Sequence, residues 1–352
     1  MSILKLKRKR YFKSLVLFLI LAFGLVLTAC RPGEEATPTS AVPTVDPAAA
    51  TAVATTATPT PGAPTVLLAA GPEADPQAVS LVQSSLETLA AEAALQLVSV
   101  SALTPDELTE NVRVVVAVGP GFDLPGLAAG SPGIQFVGID QPTLTPGPNL
   151  SVLGDPVTDE ERQNFMAGYL TAVLSEDNKI AGLLPSDIPE TTQAVNAFVI
   201  GARFFCGICN PQFPPYNAFP QWESYPAGSS ADTIRPLLNE YVNMAVEVIY
   251  VHAALVSPDL LNALSDLGIT VVGSASPDNP RNNWAGTVVL DPGPALAQIW
   301  PDVLAGTGGH QVPNGILLMD TEAGLISEGR MRLFEEMAAD LEADLVLPET
   351  VP

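Results

Sequence analysis

The sequence predicts an α/β fold with two Rossmann-like lobes, each built on a parallel sheet, that are joined by a hinge and preceded by a disordered tether. Short apolar segments alternate with helical segments from Thr65 onward, in two successive series over residues 65–154 and 179–275. This alternation is typical of parallel sheets with helices on both faces. Ligands bind beyond the carboxyl ends of parallel strands, so two such lobes would place their binding loops across a cleft.

The first thirty residues have the features of a secretory signal. Six basic residues between Lys5 and Lys13 precede an apolar run from Leu15 to Leu27. The run has about 13 residues, whereas about 20 are needed to span the bilayer core. The segment "LTAC" that ends at Cys30 looks like a bacterial lipobox, whose cysteine is acylated. We therefore predict a lipoprotein signal peptide over residues 1–29 and a lipid on Cys30. The alternative is a signal followed by an ordinary thiol.

Residues 30–64 form a predicted tether rich in Pro, Thr and Ala. Segments such as "ATTATPTPGAPT" contain no large apolar side chain, so burial cannot offset the entropy of ordering. The prolines favour an extended polyproline II chain of about 3.1 Å per residue. We expect this segment to hold a folded body away from the extracytoplasmic face of the cell membrane.

The body that follows is strongly acidic. Outside the signal peptide, 9 Lys and Arg stand against 38 Asp and Glu, a formal charge of −29. Nucleic acid and anionic membrane surfaces are poor partners for such a field.

The first series begins with the apolar, β-branched segment "TVLLAA", which is typical of a buried strand. Asp75-Pro76 then predicts a helix start, since Asp is a favoured N-cap and Pro fits the first turn. The predicted strands of this series are 65–70, 95–100, 112–119, 134–140 and 149–154, and the predicted helices are about 76–93 and 104–111.

A capping box at Thr158 and Glu161, followed by an apolar stripe at helical spacing, predicts a helix before the second series. The predicted strands are 179–185, 221–226, 247–254, 269–275, 286–290 and 315–320. The predicted helices begin near residues 158, 189, 258, 293 and 328, and a further helix ends near 245.

Two cysteines, Cys206 and Cys209, form a Cys-x-x-Cys pair in "RFFCGICNP". A local disulfide is the favoured interpretation for an exported protein. Two buried thiols, a redox-active pair and a metal site are the alternatives. No thioredoxin-like strand precedes the pair, and structural zinc takes four ligands, whereas His252 and His310 are the only histidines. We expect no metal site.

Between residues 136 and 185, a strand ending in Asp140 and a second strand precede a helix that is similar to the pattern Glu-x-x-x-Phe-Leu-x-Gly-x-x-Ala. The corresponding residues are Glu161, Phe165, Gly168, Met166 in place of Leu, and Ala172, which lies one position beyond the Ala of the pattern. The stretch resembles the basic membrane protein family of lipoproteins. That family includes the purine-nucleoside receptors of ABC importers and has the class I periplasmic-binding-protein fold. "VEVIYVHAA" and "ITVVGSASPD" are similar to two later strands of the family.

The resemblance implies a solute-binding lipoprotein of an ABC importer that binds a small polar solute, nucleoside-like or sugar-like, and presents it to permease subunits. The alternative is a ligand-sensing ectodomain lipoprotein that signals to a membrane partner. Neither role requires an enzyme or a cofactor. The N-terminal lobe would comprise residues 65–157 plus about 280–312, and the C-terminal lobe 158–279 plus about 313–352.

The loops after the predicted strands supply the candidate ligand-binding residues, because these loops face the cleft. They are Gly71, Glu73, Phe122, Asp140, Gln141, Ser186, His252, Ser274, Asp278 and Asp291. Carboxylates suit hydroxyl groups of a sugar, and an aromatic ring such as Phe122 or Trp284 suits a planar base. The alternatives are that Asp140 caps a loop, that His252 is structural and that Trp284 fills the core.

The family's ligand contacts are degenerate in this chain. The loop after the first strand lacks the family's Phe-Asn pair, and the ligand-facing Asp is replaced by Ser274 or displaced to Asp278. Catalytic signatures are also missing from the sequence. Gly119-Pro120-Gly121 does not match the dinucleotide fingerprint, and there is no Gly-x-Ser-x-Gly elbow or phosphate loop.

Overall fold

Two six-stranded sheets organise the part of the chain that the structure describes. The structure is a computed structural model, and it describes residues 62–188, 191–207 and 209–348. The predicted signal peptide, the lipidation site Cys30 and nearly all of the predicted tether lie outside the described residues. In the described ranges, no helix combines the length and the apolar character needed to cross a membrane.

The first sheet consists of six parallel strands. They are β1 (Thr65–Ala70), β2 (Gln96–Val100), β3 (Val112–Val118), β4 (Gln135–Ile139), β5 (Leu150–Leu153) and β11 (Gln311–Val312). Their order across the sheet is β11-β5-β4-β3-β1-β2. Strand β3, "VRVVVAV", is buried along nearly its whole length, as expected for a central strand covered on both faces.

The second sheet also has six strands, of which five run parallel and the edge strand β12 runs antiparallel to β10. They are β6 (Ile180–Pro185), β7 (Gln221–Tyr225), β8 (Val248–Val251), β9 (Thr270–Gly273), β10 (Trp284–Asp291) and β12 (Gly315–Met319). Their order is β12-β10-β9-β8-β6-β7.

Eight helices of the described residues cover the sheets. They are α1 (Pro76–Glu92), α2 (Leu124–Gly130), α3 (Pro156–Leu174), α4 (Thr191–Cys206), α5 (Ala231–Asn243), α6 (Pro258–Asp266), α7 (Pro292–Leu304) and α8 (Glu328–Glu342). Helices α1, α3 and α7 each begin after an Asp whose side chain accepts a backbone N–H of the first turn: Asp75, Asp155 and Asp291. This is the usual way to satisfy the free N–H groups at a helix start.

The chain passes between the two sheets three times within the described residues. Strand β5 lies in the first sheet while α3 packs on the second, and β10 lies in the second while α7 packs on α1 of the first. Strand β11 then joins the first sheet and β12 the second. We call the body around the first sheet, with α1, α2 and α7, the first lobe. The body around the second sheet, with α3 to α6 and α8, is the second lobe.

The predicted α/β fold with two parallel-sheet lobes is confirmed. Three details differ from the sequence prediction. Residues 104–111 shorten to a 3₁₀ turn at Pro105–Glu107 with no buried side chain. The short elements α2 and β11 were not predicted. The return to the first lobe comes after Asp291 rather than near residue 280, because Trp284 pairs with β9 and Thr287 to Asp291 pair with β12.

Candidate functional site

A cavity of about 720 Å³ lies between the two lobes, at the carboxyl ends of their parallel strands. The first lobe contributes Asp75, Pro76, Gln77, Ala78, Ile139, Asp140, Gln141, Leu153, Gly154 and Pro292. Residues of the second lobe and of the third crossover contribute Asp159, Glu160, Gln163, Ala253, Ser274, Ala275, Ser276, Asp278, Val289, Leu290 and Asn314. The volume is within the range of small-molecule sites, about 300–1,000 Å³.

Two carboxylates of the first lobe share one side of the cavity. Asp75 caps α1, and its Oδ1 accepts the N–H of Gln77 at 3.1 Å. Asp140 follows β4 directly and has a backbone φ of +55°. Burial and the negative charge of Asp75 raise the pKa of Asp140 above its ordinary value. Among the described residues, neither carboxylate forms an ion pair.

Asp159 and Asn314 join two of the crossovers between the lobes. The Asn314 backbone N–H donates to Asp159 Oδ1 at 3.0 Å, and Asn314 Nδ2 donates to Asp159 Oδ2 at 2.9 Å. Asp159 is 3% exposed, and desolvation raises its pKa to about 7 although the Asn314 bond acts in the opposite direction. Asn314 is 6% exposed, and its Oδ1 has no hydrogen-bond partner.

The side-chain amides that line the cavity donate their N–H groups to the protein. Gln163 Nε2 donates to the Val288 carbonyl at 2.8 Å, and Gln141 Nε2 donates to the Gly119 carbonyl. Gln77 Nε2 donates across the cleft to Ser276 Oγ at 3.0 Å. These bonds occupy at least one N–H of each amide, and the amide oxygens remain as acceptors for a ligand.

Four of the predicted ligand-binding residues line the cavity: Asp140, Gln141, Ser274 and Asp278. They lie at the ends of β4 and β9, which occupy inner positions in their sheets. Ser274 Oγ also accepts the backbone N–H of Ala253 at 2.8 Å, which fixes the two second-lobe loops to each other.

The structure does not place three other predicted residues in the cavity lining. The Gly71 N–H donates to the Val118 carbonyl at 2.8 Å in a tightly packed loop. Glu73 is exposed, and Phe122 packs against the core of the first lobe.

Ser186, His252 and Asp291 also lie outside the lining. Ser186 is exposed at the end of β6. His252 is buried behind the lining, where Nε2 lies 3.2 Å from Glu160 Oε1 and Nδ1 accepts the Ala254 N–H at 3.1 Å. Asp291 caps α7 by accepting the N–H of Gly293 at 2.8 Å.

Trp284 is a core residue and not a stacking platform. It is 1% exposed, and its Nε1 donates to Thr287 Oγ1 at 3.1 Å. No aromatic residue is among the described residues that line the cavity. The structure therefore offers a planar base no ring to stack on.

Sequence reasoning missed the lining residues that come from helix starts and from the third crossover. They are Asp75, Gln77, Asp159, Glu160, Gln163 and Asn314. The Asp-Pro signal at residue 75 was identified only as a helix cap. Asn314 had no signal, because its position depends on a chain crossing that local patterns do not show.

Away from the cavity, Cys206 and Cys209 are joined by a disulfide bond at the end of α4. In the described residues, no group of three His, Cys, Asp or Glu side chains is arranged to hold a metal ion.

Comparison with known proteins identifies the fold. No protein-family model matches the chain, and no curated protein matches it. A solved structure of a transcriptional activator of the comK gene from Bacillus halodurans is 14% identical, with a TM-score of 0.54 over 81% of this chain and 100% of that one.

Two solute-binding proteins are also similar. An ABC transporter solute-binding protein from Aeropyrum pernix K1 is 15% identical, with a TM-score of 0.50 over 82% of this chain and 94% of that one. The arabinose-binding protein AraP from Geobacillus stearothermophilus is 13% identical, with a TM-score of 0.51 over 73% and 97%. The chain therefore has the class I periplasmic-binding-protein fold.

Proposed function

We propose that this chain is an extracytoplasmic solute-binding protein that captures a small polar solute between its two lobes. The observation that carries this proposal is the cavity of about 720 Å³, which both lobes line with residues from the ends of their parallel strands. Fold alone does not assign a function, but a cavity that both lobes line with polar side chains is suited to binding a small polar solute.

Solute capture would proceed by closure of the lobes about the three crossovers. In the structure, Gln77 of the first lobe already contacts Ser276 of the second. A solute that touches both lobes would add to this contact and favour the closed form, since a ligand shifts an equilibrium by its differential affinity for the two states. No chemical step is needed.

The proposal includes the cellular setting expected from the sequence. A lipid on Cys30 would anchor the chain, the tether of residues 30–64 would span the distance to the body, and ABC permease subunits would receive the solute. The residue ranges assigned to the two lobes, and the hinge motion between them, belong to the same proposal.

Distant membership of the basic membrane protein family is also proposed. It is supported by the motif glycine Gly168, which lies where α3 and α4 meet, because a Cβ at this position would lie 2.1 Å from the Phe198 carbonyl oxygen. A glycine is therefore required for the close approach of the two helices.

The test uses the full chain purified in detergent. The protein is denatured and any released small molecule is identified by mass spectrometry, and sugars, nucleosides and organic amines are then screened by thermal shift. A bound solute should raise the melting temperature by mass action. If no solute is released and no compound of any class shifts the melting temperature, the proposed function is wrong.

A further inference from the structure

The cavity between the lobes has an unbalanced charge. Five carboxylates line it, namely Asp75, Asp140, Asp159, Glu160 and Asp278, and no Lys, Arg or His is among the described residues of the lining. Glu160 has a partner in His252 just behind the lining. Asp75, Asp140 and Asp278 form no ion pair with any described residue.

The neutral polar groups of the cavity favour the same kind of ligand. Gln77, Gln141 and Gln163 each donate at least one N–H to the protein, and their oxygens remain as acceptors. The Ser276 hydroxyl donates to Asp320. A sugar or a nucleoside needs both donors and acceptors from its site, whereas this lining offers mainly acceptors.

Asn314 provides an observation that is independent of the charges. Its side chain lines the cavity at 6% exposure, and its Oδ1 has no partner, although buried polar atoms are normally hydrogen-bonded. Its Nδ2 donates a hydrogen bond to Asp159. The atom left over is again an acceptor, which adds to the acceptor character of this side of the cavity.

A metal ion does not fit the arrangement. Hard cations require several oxygen ligands converging within about 2.6 Å, and no group of three candidate ligands meets this condition in the described residues. The cavity is also much larger than an ion, so its occupant has to supply both positive charge and volume.

We propose that the cavity binds an organic cation that carries amino or guanidino groups, with one charged group against Asp75 and Asp140 and the other end of the molecule near Asp278. This inference rests on the proposed solute-binding function and names its ligand class. Ammonium and guanidinium groups are donors without acceptors, which complements the lining. The surrounding charge of the body would raise the local concentration of cations.

Titration calorimetry on the full chain in detergent tests the proposal with matched pairs of probes. Spermidine, agmatine and 1,5-diaminopentane are compared with neutral compounds of similar size, of which 1,5-pentanediol is the partner of the diamine. We expect at least one of the amines to bind and its neutral partner to bind about ten-fold more weakly or not at all. Binding should weaken with added salt.

Two variants test whether the carboxylates of the cavity bind the amine. Asp140→Asn keeps a residue that tolerates positive φ, and Asp75→Asn keeps a good helix cap. Each should weaken amine binding by about ten-fold, because hydrogen bonds between charged groups are stronger than those between neutral groups. Asp106→Asn, which removes the same charge from the exposed 3₁₀ turn, should leave the affinity unchanged.

The outcomes separate this inference from the proposed function. Tight binding of a neutral sugar or nucleoside, with amines inert, overturns the cation proposal but supports solute binding. Amine binding that Asp140→Asn, Asp75→Asn and Asp106→Asn weaken equally overturns the assignment to this cavity. Absence of binding by every probe, with no solute released on denaturation, contradicts both proposals.

Discussion

Among single residues, Asp159 has the largest consequence for how the protein responds to pH. Its pKa is about 7 in the folded protein, against an ordinary value of 3.8, because burial penalises the ionised carboxylate. Asp155 adds repulsion, while Arg162 and the N–H groups of Asn314 and Asp155 act in the opposite direction. The folded state therefore holds this proton more tightly than the unfolded state does.

We predict that this residue makes the protein less stable as the pH rises from about 4 to about 7. Below pH 4 both states are protonated and there is no penalty, and above pH 7 the full penalty is present. The raised pKa sets an upper bound of about 4 kcal/mol on the loss. Urea unfolding between pH 4 and 8 measures it, in wild type and in Asp159→Asn, which cannot ionise.

The expected result is a flatter pH profile for Asp159→Asn than for wild type. Asp259→Asn is the control, since Asp259 is an exposed residue in the first turn of α6. Its profile should follow that of wild type. If Asp159→Asn also follows wild type, the raised pKa of Asp159 does not contribute to stability in this range.

The residues of the cavity show which site positions local sequence patterns can predict. Asp140 and Ser274 follow inner strands, so the rule that ligands lie beyond strand ends was sufficient to find them. Phe122 also follows a strand, but its apolar ring packs into the first-lobe core instead. His252 contacts Glu160 behind the lining, and the position of Asn314 depends on a crossover between the lobes. Side-chain direction and chain crossing are tertiary properties that a single strand does not encode.

At the scale of elements, the contact between α3 and α4 depends on two glycines. A Cβ at Gly168 would lie 2.1 Å from the Phe198 carbonyl oxygen, and a Cβ at Gly201 would lie 1.9 Å from the Phe165 carbonyl oxygen. These distances are far below van der Waals contact and involve backbone atoms, which cannot rotate away. The two helices therefore approach each other closely only because both positions lack a side chain.

We predict that Gly201→Ala lowers the free energy of unfolding by about 1–3 kcal/mol or more, the usual cost of overpacking. Urea denaturation measures the change. Gly329→Ala is the matched control, because Gly329 is exposed in the first turn of α8 and a Cβ added there would have nothing within 4 Å.

Helix propensity favours Ala over Gly by up to about 1 kcal/mol, so the Gly329→Ala control should be neutral or slightly stabilising. Equal stability of the two variants would show that α3 and α4 separate at no cost.

The sequence predicted an element well where the segment has its own apolar pattern to bury. It predicted an element less well where contacts with neighbouring elements determine whether the element forms. Strand β3 has a long apolar pattern and lies where the sequence placed it. Helix α3 also has a long apolar pattern, but it begins at Pro156 with Asp155 as its N-cap, and the predicted capping box of Thr158 and Glu161 does not form its start. Residues 104–111 have caps but no apolar stripe, and they form only a 3₁₀ turn. The two-residue strand β11 exists because it pairs with β5, and no sequence pattern of that length is informative.

At the scale of the whole molecule, anchoring is the first prediction. Cys30→Ser should abolish incorporation of a fatty-acid label, because the thiol that carries the lipid is removed. Each buried CH2 contributes about 0.8 kcal/mol, so several acyl chains would form a nearly permanent anchor. Metabolic labelling with an alkyne fatty acid measures the result. Cys209→Ser should retain the label, and labelling of Cys30→Ser would contradict lipidation at this residue.

The two lobes are linked across the cleft by a chain of hydrogen bonds. Gln77 on α1 donates to Ser276, Ser276 donates to Asp320, and Asp320 accepts from Thr287 in β10. These bonds join the start of α1 in the first lobe to the sheet of the second lobe. Each exposed hydrogen bond of this kind contributes about 0.5–1.5 kcal/mol to holding the lobes together.

We predict that Gln77→Ala shifts the protein without ligand toward an open form, because it removes the one side chain of α1 that bonds directly to Ser276 in the described structure. Spin labels at Glu92→Cys and Asp259→Cys, one on each lobe, would report the opening as a longer distance by pulsed electron resonance. Loss of about 1 kcal/mol changes the ratio of closed to open forms about five-fold. Gln83→Ala is the control, since the Gln83 side chain donates to Glu87 within α1, and should leave the distance unchanged. Identical distance distributions for Gln77→Ala and wild type would mean that the crossovers alone hold the lobes together, so that closure does not depend on contacts across the cleft.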